Sequence, residues 1–128
     1  IRSIQDPVVI ASNDSSHIHL EERGDIKLLI HGWNADAEHT SMQPVRNAYL
    51  RLNVSHVVAA DWREIAGMPY IFARDLIGVI GRRICELFKG FVARVKVSPE
   101  NIHIVGHSLG NFSIKKDGNS ISSIIYSL

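Results

Sequence analysis

Apolar side chains fall along this chain in two alternating rhythms: short unbroken runs, and longer stretches that return every three or four residues. Ile26-Lys27-Leu28-Leu29-Ile30, entered from the turn at Arg23-Gly24-Asp25, is the near-continuous kind of run that a strand covered on both faces carries. From Thr40 or Ser41, the expected N-caps, with Pro44 in the first turn, Met42, Val45, Ala48, Tyr49 and Leu52 follow helical spacing. His56-Val57-Val58-Ala59-Ala60 predicts a second buried strand ending at Asp61-Trp62. Beyond a loop, Ala73, Leu76, Ile77, Ile80, Ile84, Leu87, Phe88 and Phe91 place one apolar face along a long helix. Ser98-Pro99-Glu100-Asn101 then turns the chain into a third strand, Ile102-His103-Ile104-Val105, and short extended segments are expected at Val8 to Ala11 and His17 to Leu20. Strand and helix in alternation imply parallel strands joined by right-handed crossovers, so the expected class is α/β.

Composition narrows the field without choosing within it. The 128 residues are enough for one domain, and 45% apolar with 21% charged side chains excludes low-complexity and disordered classes. Fourteen basic against thirteen acidic residues leave no field that would steer the chain to nucleic acid. The basic residues on the polar side and exit of the long helix, Arg82, Arg83, Lys89, Arg94 and Lys96, read as a solvated face. No run approaches the length of a membrane span. A single cysteine, Cys85, allows neither an internal disulfide nor a paired-thiolate metal site and is expected to fill core. The first residue is Ile without a charged-then-apolar leader, and the chain is expected to be a processed product or a fragment.

The chemistry concentrates after the third strand, where Gly106-His107-Ser108-Leu109-Gly110 fits G-x-S-x-G. That pattern suits a tight strand-to-helix turn: the serine takes a strained conformation, its flanking glycines avoid collision, and its hydroxyl is pushed out above the sheet. A helix opening there offers backbone N–H groups to a developing oxyanion. His31-Gly32-Trp33 follows the first strand, where an esterase of this kind places a second N–H. On this reading Ser108 is the nucleophile, Trp33 and Leu109 donate their N–H groups to the oxyanion, and Gly32, Gly106 and Gly110 permit the close approach. The alternative for Trp33 is a rim or core aromatic without catalytic meaning.

These residues together, Lys27-Leu28-Leu29-Ile30-His31-Gly32-Trp33, Ala60-Asp61-Trp62, Tyr70 and Ala73 through Ile80-Gly81, and Ser98 through Gly110, resemble the animal pancreatic-type lipase and phospholipase A1 family, especially its insect members. The resemblance covers residues 26–110. It implies an α/β-hydrolase fold, of which this chain would hold the N-terminal part of the sheet with helices on its faces, and hydrolysis of carboxylic esters in acylglycerols or phospholipids. It further implies secretion, a lipid substrate or lipid–water interface as partner, and neither an organic cofactor nor a metal. Leu76 departs from the asparagine usual in the family.

Acyl transfer by serine also needs an acid and then a histidine after the nucleophile in this fold. All seven histidines precede Ser108, and Asp117, nine residues on, comes too early for the end of a following parallel strand. Residues 111–128 contain five Ser and ten Asn, Phe, Ile, Lys or Tyr, types with A- and T-rich codons. This tail is expected to be translated intron or frame-shifted sequence after an exon end at Gly110, the alternative being a divergent short isoform. The expected organisation is therefore one partial domain over residues 1–128, with the triad acid and base lost. Such a chain, with three parallel strands at most, is expected to aggregate or remain partly molten. Two other readings stay open: a non-catalytic lipase-like module that binds lipid or protein, and a non-functional fragment.

Smaller signals point to structure. His17 and His19 could share a strand face but lack a third ligand. Asn13, Asn53 and Asn111 head N-glycosylation patterns that arise often by chance. Arg23-Gly24-Asp25 is a polar turn before an adhesion tripeptide is invoked, and Asp61-Trp62 reads as structural.

Overall fold

The computed structural model describes residues 24–52, 54, 56–95, 97–110 and 125–127. The segments expected at Val8 to Ala11 and His17 to Leu20 lie outside them. The elements are β1 (Ile26–Ile30), α1 (Gln43–Arg51), β2 (His56–Ala60), α2 (Arg63–Ala66), α3 (Tyr70–Val95), a 3-10 turn at Pro99–Asn101, β3 (Ile102–Gly106) and β4 (Ile125–Ser127). All strands pair in parallel in the order β2-β1-β3-β4.

β1 lies between two neighbours and is buried throughout, which explains why its sequence does not alternate. Its residues nonetheless sort by face. Ile26, Leu28 and Ile30, with Ile102 and Ile104 of β3, meet Ala73, Ile77 and Phe88 of α3 and Ala66 of α2 in the main core. Leu29 and Val105 point the other way, onto Met42 and the α1 side chains Val45 and Tyr49. Helices thus cover both faces. Moving from β1 to β2 in one direction and from β2 back across to β3 in the other requires this if both crossovers are right-handed. Each fully buried side chain of this kind contributes about 1.5 to 3 kcal/mol.

Lys27, on the α1 side, is only 7% exposed. Its Nζ lies 2.8 Å from Nδ1 of His103, its register neighbour on β3, and 5.7 Å from the centre of the Tyr49 ring. The amine is therefore held by an imidazole nitrogen and an aromatic face.

Four local expectations change. The α1 N-cap is Met42 without a side-chain cap bond, because Ser41 instead pairs its hydroxyl with Nδ1 of His39. α3 begins at Tyr70, ahead of the expected face, and Leu87 lies on its exposed side. Cys85 is half-buried. Among the described residues the sheet has four strands rather than three: β4 pairs with β3 through Ile104 opposite Ile125 and Gly106 opposite Ser127. Among the described residues no helix is long and apolar enough to cross a membrane.

Candidate active site

Register brings the chemistry-bearing loops together. Ile30 stands level with Ala60 on one side and Gly106 on the other, so His31, Asp61 and His107 leave the sheet along one carboxyl edge. β1 passes the chain toward β2, while β4 lies on the far side of β3. A crevice opens between strands whose connections diverge, and ligands of open α/β sheets bind there.

At this crevice Ser108 has φ of 55°, the left-handed region that L-residues adopt only at a cost of about 1 to 2 kcal/mol. It is exposed, and helix resumes at Leu109. The bend is fixed by His107 N–H donating to the Ile30 carbonyl at 3.0 Å and Gly110 N–H donating to the His107 carbonyl at 3.0 Å. Gly110 has no room for a side chain: a Cβ would stand 2.5 Å from the Ile30 oxygen and 2.6 Å from that of His31. Gly32 is also confined, since a Cβ there would meet Ser108 Cβ at 2.9 Å and the His107 carbonyl at 3.0 Å. The two loops named from sequence thus lie in contact. Gly106 ends β3 and is buried. Among the described residues no backbone carbonyl takes the N–H of Trp33 or of Leu109. Nδ1 of His107, buried beside Gly32, has no hydrogen-bond partner among the described residues.

The loop after β1 is tied down on its outer side. Trp33 is exposed, yet its indole N–H donates to the Met68 carbonyl at 2.8 Å and its ring meets Tyr70 edge to face. Asn34 N–H donates to the Ala66 carbonyl at 2.8 Å. On the inner side His31, 1% exposed, stacks on Trp62 with centroids 5.3 Å apart. The Trp62 indole N–H donates to the His31 carbonyl at 2.8 Å, and the Trp62 backbone N–H donates to His31 Nε2 at 3.0 Å. Nδ1 of His31 lies 2.9 Å from the Gly32 carbonyl oxygen.

Asp61 stands beside this pair, its Oδ1 3.2 Å from His31 Nε2, and receives the Arg63 guanidinium on Oδ2 and the Arg63 backbone N–H on Oδ1. Burial pulls the carboxyl pKa upward. The Arg63 bonds and charge, with a smaller pull from His31, outweigh that and hold it well below the usual carboxylate range, at about 2. Sequence reading left His31 without a role of its own, because its meeting with Trp62 depends on the level register of β1 and β2. Among the described residues no group of three or more His, Cys, Asp or Glu could hold a metal ion.

The lipase family model matches residues 5–125. The chain belongs to the lipase family. This lipase-family chain is 23% identical over 116 residues to a pancreatic lipase-related protein 2 of Cavia porcellus, covering 91% of itself and 26% of that protein. It is 30% identical over 105 residues to a pancreatic triacylglycerol lipase of Myocastor coypus, 80% and 23% respectively, and 26% identical over 94 residues to phospholipase A1 4 of Polistes dominula, 66% and 30%. The chain spans about a quarter of the length of these relatives. Its parallel sheet with helices on both faces is consistent with part of the α/β-hydrolase fold of the lipase family.

Proposed function

We propose that the protein containing this chain is a secreted carboxylic ester hydrolase of the lipase or phospholipase A1 type, with Ser108 as nucleophile. The observation that carries the reading is the left-handed backbone at Ser108, exposed at the crevice between β1 and β3 with Gly32 against its Cβ. In this mechanism the Ser108 oxygen attacks the ester carbonyl carbon and its proton passes to a base. The negative oxygen of the tetrahedral intermediate is held by the N–H groups of Trp33 and Leu109, each worth on the order of a hundredfold or more in rate. Collapse expels the alcohol, protonated by the same base, and leaves an acyl-serine. Water then attacks that acyl group, releases the fatty acid and restores the hydroxyl. The base and its orienting acid are assigned to the further length that the relatives have. The apolar rim of Trp33, Met68 and Tyr70 suits an acyl chain.

A fluorophosphonate probe tests the reading on the full-length protein. Ser108-dependent labelling, lost in Ser108→Ala, is expected; labelling that survives the substitution, or none, overturns it. Fatty acid release from emulsified triacylglycerol against phosphatidylcholine vesicles then separates the two substrate classes.

A further inference from the structure

We propose that the His31 side chain is a positioning residue for the oxyanion donor: through Nδ1 it holds the Gly32 carbonyl and thereby fixes the direction of the Trp33 N–H. The inference rests on the reading of Ser108 and Trp33 given above.

The Gly32 carbonyl and the Trp33 N–H belong to one planar peptide unit and point in opposite directions across it. Whatever fixes the one therefore aims the other. Gly32 is the residue least able to do this for itself, because it has no side chain and no conformational preference to restrain the plane. The restraint comes from His31, whose Nδ1 stands 2.9 Å from the Gly32 oxygen.

That contact is attractive only if Nδ1 carries a proton, and the surroundings decide that it does. A backbone N–H can only donate, and the Trp62 N–H points at Nε2 from 3.0 Å, so Nε2 of the neutral ring is the acceptor and the proton sits on Nδ1. The remaining tautomer would set two lone pairs against each other at Gly32 and two N–H groups against each other at Trp62. The favoured tautomer thus donates to Gly32. The ring itself cannot turn away, being buried, stacked on Trp62 and anchored by its own carbonyl to the Trp62 indole. A donor on the Gly32 oxygen also polarises the shared peptide and strengthens its N–H toward a negative oxygen.

Two substitutions separate positioning from support. In His31→Asn the side-chain NH2 replaces Nδ1 as donor to Gly32. In His31→Gln the side-chain carbonyl replaces Nε2 as acceptor for Trp62, and nothing reaches Gly32. With the full-length protein and a fluorophosphonate, His31→Gln is expected to slow Ser108 labelling about tenfold or more, while His31→Asn stays within about threefold of the unsubstituted rate. For ester turnover the loss in His31→Gln falls on kcat with KM unchanged. Equal rates in the unsubstituted protein and His31→Gln, or an equal loss in both variants, overturn the proposal. A second readout does not depend on catalysis. The Trp33 amide resonance and its hydrogen-exchange rate should change in His31→Gln and be retained in His31→Asn, and the reverse order, or no difference, sinks the inference. Absence of Ser108-dependent labelling in the unsubstituted protein would instead remove the functional reading, leaving the amide measurement to judge the peptide geometry.

Discussion

Replacing Gly110 by alanine introduces one methyl group where two backbone carbonyls leave no room for it. Its Cβ would stand 2.5 Å from the Ile30 oxygen and 2.6 Å from the His31 oxygen, and both are backbone atoms that cannot swing aside. Relief requires the end of β1 to separate from the turn after β3. That movement works against the His107 N–H bond to Ile30 and the Trp62 indole bond to His31. Overpacking a rigid site costs about 1 to 3 kcal/mol and each weakened hydrogen bond about 1 kcal/mol, so Gly110→Ala should destabilise by about 3 to 5 kcal/mol. Gly90, exposed within α3, supplies the control, because nothing lies within 4 Å of the position its Cβ would take. There alanine is simply the better helix former, and Gly90→Ala should gain up to about 1 kcal/mol. Urea unfolding followed by circular dichroism measures both. If Gly110→Ala unfolds at the same denaturant concentration as the unsubstituted protein while Gly90→Ala behaves as stated, the contact between the two loops is not what the structure describes.

Ser108→Gly should stabilise by about 1 kcal/mol in thermal melts, because glycine occupies φ of 55° without strain; a loss would contradict the strain assigned to the turn. The depressed pKa of Asp61 means that its contribution is complete above about pH 4 and is lost as pH falls toward about 2. After allowance for solvent screening this is on the order of 1 kcal/mol, and Asp61→Asn should flatten that part of the stability profile. Equal acid slopes in the two proteins would remove the role given to Arg63. Lys27→Met exchanges a buried amine for an apolar chain of similar length, so stability should shift by less than about 1 kcal/mol. A calorimetric loss above about 2 kcal/mol would show that the Lys27–His103 pair is a major support.

Much of the sheet was legible because buried parallel strands announce themselves as unbroken apolar runs. β1 and β2 have the expected ranges and β3 is one residue longer, but β2, expected to be buried, is only half-buried with Ala59 exposed, because it stands at the edge of the described sheet. α3 was legible in its periodicity, and Ala73, Ile77 and Phe88 do face the core. The start of α1 was not, because Ser41 finds a nearer partner in His39 than the helix end. β4 carried no separate signal, since its three residues become a strand only through the neighbour they pair with. At the candidate site, the bend at Ser108 and the closeness of Gly32 could be expected from spacing alone. The stack of His31 on Trp62 could not, because it depends on the level register of β1 and β2, which joins residues 31 apart.

The seam between the turns after β1 and β3 has an evolutionary corollary. Neither turn can gain or lose a residue without prying the other open, so insertions that diversify what the protein accepts must go elsewhere. The Gly67–Pro69 link, whose Met68 carbonyl accepts the Trp33 indole N–H, lies beside these turns but outside the seam. Changes of length there would remodel the rim while leaving the interlocked centre intact.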